Sequence, residues 1–319
     1  MRKKLIDPAN NTAQPTPKSV DPFDCKSYPR TLIMGRLLDT AETIASGDPP
    51  DRVDYLHSVL CQVGLPRSRT DAETFERTSG AVSLLVKAGE LWNGSEWVKQ
   101  PLPYGTRPRL ALVHVSSEAI RTKSRIIEIG HSVRDFLLKL GADTGGHEYE
   151  RFQTQMKALA ACEMRLGLGN NTVKAQPIER FDAWLHVTGE QSTFWPGSLE
   201  LSQRFFDTLS ELAVPMDPRA LAALRHSALA LDVYTWLAHR LHRVRQPNGT
   251  KLSWSNLREQ FGQEYSNPKD FKREMIRVLR MVCAVYPDAQ VENVVGGILL
   301  RSSPPPIPKR AVTVRKIES

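Results

Sequence analysis

NPKDFKREMIRVLRMVCAVYPDAQVENVVGGILLRSS, residues 267–303, is the stretch from which the rest of this chain is read. It opens on Asn267-Pro268, a capping residue followed by proline at the first helical position. At about 100° per residue, Lys269, Lys272, Arg273, Arg277 and Arg280 fall on one side of a helix. Phe271, Met275, Val278, Leu279 and Val282 fall on the other. Residues 291–295 and 298–301 then flank Gly296-Gly297, a two-residue hairpin signal. Such a helix can bury one face and offer the other to phosphates, and its pairing with a hairpin points to double-stranded DNA. The competing reading of the same residues is an ordinary packed helix with a solvated charged face.

Working back from this stretch, Gly262 ends a helix over 254–261 that Ser253 can cap. A strand over 251–252 and a turn at Asn248-Gly249 precede it. Further back lie helices over 201–212 and 220–243, the second with a break near Ser227. In the first half, helices are expected over 36–45 and 52–63, the latter stopped by Gly64 and Pro66. A hairpin over 81–91 and 97–102 turns at Asn93-Gly94. Pro108 starts a helix with Leu110, Val113, Ala119 and Ile120 near one face, and Arg121, Lys123 and Arg125 suit its C-terminal dipole. A strand over 126–129 follows, then a helix over 131–140 closed by Gly141. The next helix, 147–161, buries Phe152, Met156, Leu159 and Ala160, and strands over 164–168 and 180–187 enclose a polar loop, 170–176.

Helix, strand, helix, helix, strand, loop, strand is the order of a winged-helix domain, and the second half repeats it. The expected class is therefore α+β: tandem winged-helix domains, mostly helical, with short β-hairpin wings. The divisions read from the sequence are a disordered basic arm (1–30), an N-terminal domain (31–198), a C-terminal domain (199–303) and a proline-rich tail (304–319) carrying Lys309, Arg310, Arg315 and Lys316.

The 319 residues carry a formal charge of +8 with a pI near 9.4, which favours an anionic partner. No apolar run approaches the ~18 residues of a membrane span, and residues 1–6 lack the apolar stretch of a secretory signal. Cys25, Cys61, Cys162 and Cys283 lie far apart, as reduced thiols of a cytoplasmic protein do. Catalytic patterns are sparse. There is no Gly-x-x-x-x-Gly-Lys-Ser/Thr and no His-x-His, and His239 and His242 have no nearby carboxylate to complete a zinc site. His242 and Arg245, with Tyr265 and Tyr286 downstream, give a short match to tyrosine recombinases. No cofactor or metal is expected.

Four longer stretches carry a resemblance: LPYGTRPRLALVHVSSEAIRTKS (102–124), IIEIGHSVRDFLLKLG (126–141), LSQRFFDTLSELAVPMDPRALAAL (201–224) and SALALDVYTWLAHRL (227–241). In these the chain resembles the plasmid-encoded RepA family of theta-type replication initiators, over roughly residues 81–300. The resemblance implies two winged-helix domains. The carboxyl-terminal one would bind direct repeats at the plasmid origin, and the amino-terminal one would help dimerise the protein and add DNA contacts. It also implies melting of an AT-rich segment, recruitment of the host replication initiator and replicative helicase, repression of its own promoter, and a homodimer in equilibrium with monomer.

Within that frame Lys269, Lys272, Arg273, Arg277 and Arg280 are the expected DNA contacts, with Arg273 and Arg277 able to make the bidentate guanine contact. Arg301 could reach phosphate from the end of the hairpin. In the first domain Arg151, Gln155 and Lys157 are expected on the polar side of the 147–161 helix and Lys174 in a wing loop, with a dimer interface as the competing role. Trp184, Trp236, Trp254 and Tyr234 are expected in the core. Two rival functions are a repressor that binds an inverted repeat and a tyrosine-type strand-transfer enzyme.

Overall fold

The computed structural model describes residues 32–130, 132–140, 145–174, 176–180 and 197–308. The arm over 1–30, Cys25, Gly141, Trp184, all but Arg180 of the strand expected over 180–187 and the cations of the tail from Lys309 onward lie outside the described residues. The described residues form an α+β structure of ten α-helices and five small sheets.

Helix α1 (Leu32–Ala45) turns Met34, Leu37, Ala41 and Ile44 toward the core, and Leu37 is wholly buried. A single helix was expected over 52–63. The chain instead forms strand β1 (Asp54–His57) and then the short α2 (Ser58–Gln62), whose N-terminus His57 caps by accepting from the Val59 N–H at 3.2 Å. The extended conformation of β1 is fixed by antiparallel pairing with a strand of the second half, which local periodicity cannot register.

Strands β2 (Thr74–Ser79) and β3 (Val82–Lys87) follow, with Val82, Leu84 and Val86 of β3 buried. The strand expected over 81–91 breaks at Ala88-Gly89, where a Cβ on Gly89 would lie 2.0 Å from the Ala161 carbonyl oxygen. β4 (Glu90–Trp92) and β5 (Trp97–Lys99) make a separate hairpin, and the Asn93 side chain accepts the Ser95 and Glu96 N–H groups in its loop. Helix α3 (Thr106–Thr122), strand β6 (Ile126–Glu128), helix α4 (Val133–Lys139) and helix α5 (Gly146–Ala161) lie within a residue or two of the expected bounds. α5 buries Phe152, Met156, Leu159 and Ala160. β7 (Glu163–Leu168) is followed by β8 (Asn171–Lys174), in what was expected to be a polar loop. The turn is Gly169-Asn170, with Gly169 at φ +58°, and the resulting sheet runs β2-β3-β7-β8, antiparallel throughout. β9 (Ile178–Arg180) and β10 (Ser198–Leu201) complete a second sheet, β6-β10-β9.

Helix α6 (Gln203–Leu212) is capped by Ser202, two residues after the expected start, because Leu201 still belongs to β10. β11 (Ala213–Met216) pairs with β1. The long helix expected over 220–243 is α7 (Pro218–Leu224), α8 (Ala228–Arg240) and one 3₁₀ turn, broken where the Ser227 hydroxyl accepts from the Ala230 N–H and caps α8. α8 is the central helix, buried continuously from Leu229 to Ala238. Trp236 packs edge-on against Phe261, and the wholly buried Tyr234 packs against Tyr286 while its hydroxyl accepts the Asp217 N–H. β12 (Thr250–Ser253), α9 (Trp254–Phe261), α10 (Pro268–Val285), β13 (Val291–Val294) and β14 (Gly297–Leu300) end the fold, with a third sheet ordered β12-β14-β13.

The hairpin turns one residue earlier than Gly296-Gly297 suggests. Val294 pairs with Gly297, leaving Val295-Gly296 as the loop with Gly296 at φ +85°. Gly297 is required for a different reason: a Cβ there would sit 1.9 Å from the Leu252 carbonyl oxygen in the neighbouring strand. The two halves share one core, since α1 packs on α7 and α10 and β1 pairs with β11.

Candidate nucleic-acid interface

α10 is built as its sequence pattern requires. Asn267 accepts the Lys269 N–H at 2.9 Å, Pro268 occupies the first turn, and Phe271, Met275, Val278, Leu279 and Val282 are buried. On the opposite side Lys269 and Lys272 are exposed, and the Lys272 ammonium lies 5.2 Å from the centre of the Trp254 ring. Trp254, expected in the core, is therefore half-buried and meets a cation on its face. Arg273, with 80% of its side chain exposed, pairs with Asp270 at 2.8 Å, and Arg277 pairs with Glu274 at 2.6 Å. Arg280 is half-buried. The two carboxylates were overlooked in reading the cations from the sequence. Pairs this exposed are worth about 1 kcal/mol or less, so an arriving phosphate can displace them.

The hairpin is docked beside this helix pair, with the Trp254 N–H donating to the Gly296 carbonyl at 3.1 Å. Ser253 caps α9 as expected, accepting from the Asn256 N–H. Arg301 pairs across the ribbon with Glu292, so it reaches phosphate only by leaving that partner. Val295, at the tip, is 93% exposed.

The first-half candidates do not form one comparable face. Gln155, expected on the polar side of α5, is only 3% exposed, and its side-chain oxygen accepts the Tyr104 N–H at 2.7 Å. It braces the segment before α3 and is not available to DNA. Lys157 is half-buried, and loss of solvent lowers its pKa. Arg151 is exposed and 3.6 Å from Glu148, which also pairs with Arg107. Lys174 is exposed on β8, across from Arg165.

Behind α9 and α10 lies a buried ionic cluster that the sequence reading missed. Arg109 of α3 grips Asp232 of α8 with two hydrogen bonds, 2.7 and 2.9 Å, and gives its remaining donors to the carbonyls of Leu65, Pro66 and Gly105. All five of its N–H donors are thus used. Arg67 reaches Asp232 at 3.4 Å and also binds Glu264 and the Phe261 carbonyl. Arg77 of β2, 1% exposed, donates to Glu264 at 2.9 Å. Burial opposes charge on Glu264, but Arg67 and Arg77 outweigh it and hold the carboxyl below its usual range. Arg109 within the apolar run of α3 and Asp232 within that of α8 were the available signals in the sequence.

The groups that suggested strand transfer are engaged elsewhere. Tyr286 is buried, its hydroxyl donates to the Pro304 carbonyl at 2.6 Å, and burial raises its pKa. The Tyr265 ring packs edge-on against Phe271, and burial raises its pKa as well. Among the described residues no three His, Cys, Asp or Glu side chains are grouped to hold a metal, and no helix is long and apolar enough to cross a membrane.

The family described as plasmid encoded RepA protein matches residues 102–256, from just before α3 into α9. No curated protein matches the chain. The chain is similar to a crystal structure of selenomethionine derivatives of domain 2 and domain 3 of RctB, with 14% identity over 74% of this chain and 88% of that one and a TM-score of 0.47. A second crystal structure, of RctB domains 2-3, is 13% identical over 73% of this chain and 83% of that one, with a TM-score of 0.45. The match to the RepA family of plasmid replication initiators thus spans just under half of the chain and supports the kinship that residues 102–241 suggest.

Proposed function

We propose that this chain is a non-enzymatic initiator that binds direct repeats at its plasmid origin through α10. In this reading residues 31–198 and 199–303 are two winged-helix units, α10 is the recognition helix of the second, and the β13–β14 hairpin is its wing. The observation that carries the reading is α10 itself, with a buried apolar side and five cations on the other, in a chain that matches the RepA family. Lys269, Lys272 and Arg273 lie on the N-terminal turns, nearest base edges in a recognition helix, Arg273 and Arg277 are the arginines for bidentate guanine contact, and Arg280 and Arg301 hold phosphates. Arg151 and Lys174 add contacts from the first unit, which also forms the homodimer. Origin binding in the cytoplasm then leads to melting of an AT-rich neighbour and recruitment of the host replication initiator and helicase, and binding at its own promoter represses it.

The test is to incubate the protein with sheared DNA from its own replicon and sequence what it retains. Tandem direct repeats beside an AT-rich stretch are expected. A promoter palindrome alone would make the chain a repressor, and no enrichment over random DNA would reduce α10 to a charged packing helix.

A further inference from the structure

The link between α9 and α10 is held from two sides. From its own half, Arg258 donates to the Tyr265 and Ser266 carbonyls at 3.1 and 3.3 Å. From the first half come Arg67 and Arg77, which between them take both carboxylate oxygens of Glu264. Arg67 adds a second hold by donating to the Phe261 carbonyl at the end of α9, and its backbone N–H reaches Glu264 at 3.4 Å. The Arg67 and Arg77 side chains are only 8% and 1% exposed, while the Glu264 carboxylate they hold is 24% exposed and keeps one side toward water. Glu264 stands four residues before Pro268, the first residue of α10.

We infer that Glu264 is a positioning residue, gripped by Arg67 and Arg77, that sets the direction in which α10 leaves its turn and so sets specific DNA binding from outside the DNA-contacting face. The inference rests on the reading of α10 as the recognition helix and adds how that helix is aimed. The body of α10 is held by apolar packing on α8 and α1, and Phe271 in its first turn packs against Tyr265 of the same link. The clamp adds a polar hold next to the end that carries Lys269, Lys272 and Arg273. Base contacts depend on the placement of that end, whereas phosphate attraction depends mainly on charge. The two should therefore separate. Because Arg77 belongs to the β2-β3-β7-β8 sheet, whatever displaces that sheet also displaces α10.

The test uses the full chain with two duplexes, a fragment it retains from sheared DNA of its replicon and a random-sequence duplex of equal length. Well below its unfolding temperature, Arg77→Met is expected to lose roughly tenfold or more in affinity for the retained fragment. Its affinity for random duplex should change by less than about threefold, since the cations of α10 remain. Unchanged specific affinity in the folded variant would overturn the inference. If Arg77→Met does not fold, Glu264→Gln decides the matter, because glutamine keeps the shape and one acceptor but not the charge; the same split is expected and its absence is fatal. The double variant Arg77→Met/Glu264→Met separates aiming from stability, since apolar replacement of a buried pair can restore stability. Stability restored with specific affinity still low is expected, and joint recovery of both would make the clamp merely structural. Lys272→Ala/Arg273→Ala serves as the control. If it too leaves binding intact, the reading of α10 fails; if it abolishes binding while the clamp variants bind normally, only the clamp fails.

Discussion

Asp232 is approached so closely that its neighbour has no room for a side chain. A Cβ on Gly64 would lie 2.6 Å from a carboxylate oxygen of Asp232, which already receives Arg109 and Arg67. Gly64→Ala is therefore expected to push Asp232 off Arg109 and cost about 3 kcal/mol, read as a lowered midpoint of urea unfolding; an unchanged midpoint would mean that the carboxylate has room to move. Arg273→Ala or Arg277→Ala should each weaken binding to the origin repeats by about 1–3 kcal/mol, and Arg273→Ala should change unfolding stability by no more than about 0.5 kcal/mol, because its pair with Asp270 is exposed. These residues were legible in the sequence because charge on one face of a periodic helix is a local pattern. Asp232, Glu264 and Gln155 were not, because their partners lie 123, 187 and 51 residues away. Nothing in a single sequence marks a glutamine on a helix as buried by a backbone N–H it accepts.

At the scale of elements, most helices and the short strand β6 were legible, whereas β1, β2, β10 and β11 were not. α5 and α10 followed their apolar periodicity, Asn267 and Ser253 cap where capping chemistry placed them, and the break expected near Ser227 is where that residue caps α8. β1 was hidden because its conformation comes from pairing with β11, and β8 because a short polar strand resembles a loop. The C-terminal hairpin was found, with its turn displaced by one residue. Gly297→Ala should consequently harm it more than Gly296→Ala. The added methyl would meet the Leu252 carbonyl in the first case and only open space, with backbone strain of about 1 kcal/mol, in the second. Comparison of their melting temperatures checks the order. The carboxylates of α10 bear on salt dependence. If all five cations meet phosphates, the slope of log affinity against log salt is about −4 to −5; if Asp270 and Glu274 keep their arginines, it falls to about −3.

For the whole molecule, acid is the condition to which this core is most exposed. Burial lowers the pKa of His57 and His114 to about 4 from an ordinary value of 6.5. Between those values the unfolded chain binds protons that the folded chain refuses, so stability falls as pH drops from about 6.5 toward 4. Glu264 adds to the loss at lower pH: its carboxylate is stabilised by two arginines in the folded state, and that stabilisation goes as it protonates. Thermal melts across this range should show a decline beginning near pH 6.5, shallower in His114→Phe; an equal decline in the variant would assign the acid sensitivity elsewhere.

Helix α1 leaves the ribosome first among the described helices, yet it packs on α7 and α10, and α10 begins more than two hundred residues later. At about 5–20 residues per second, the interval between them is roughly ten to forty seconds of synthesis. Through most of that time, until α7 emerges, the stripe of Met34, Leu37, Ala41 and Ile44 has no final helical partner, and it is complete only with α10. The earliest described helix to emerge is thus closed over only by late ones, and a pause in translation between them lengthens the period in which nascent chains can stick to one another.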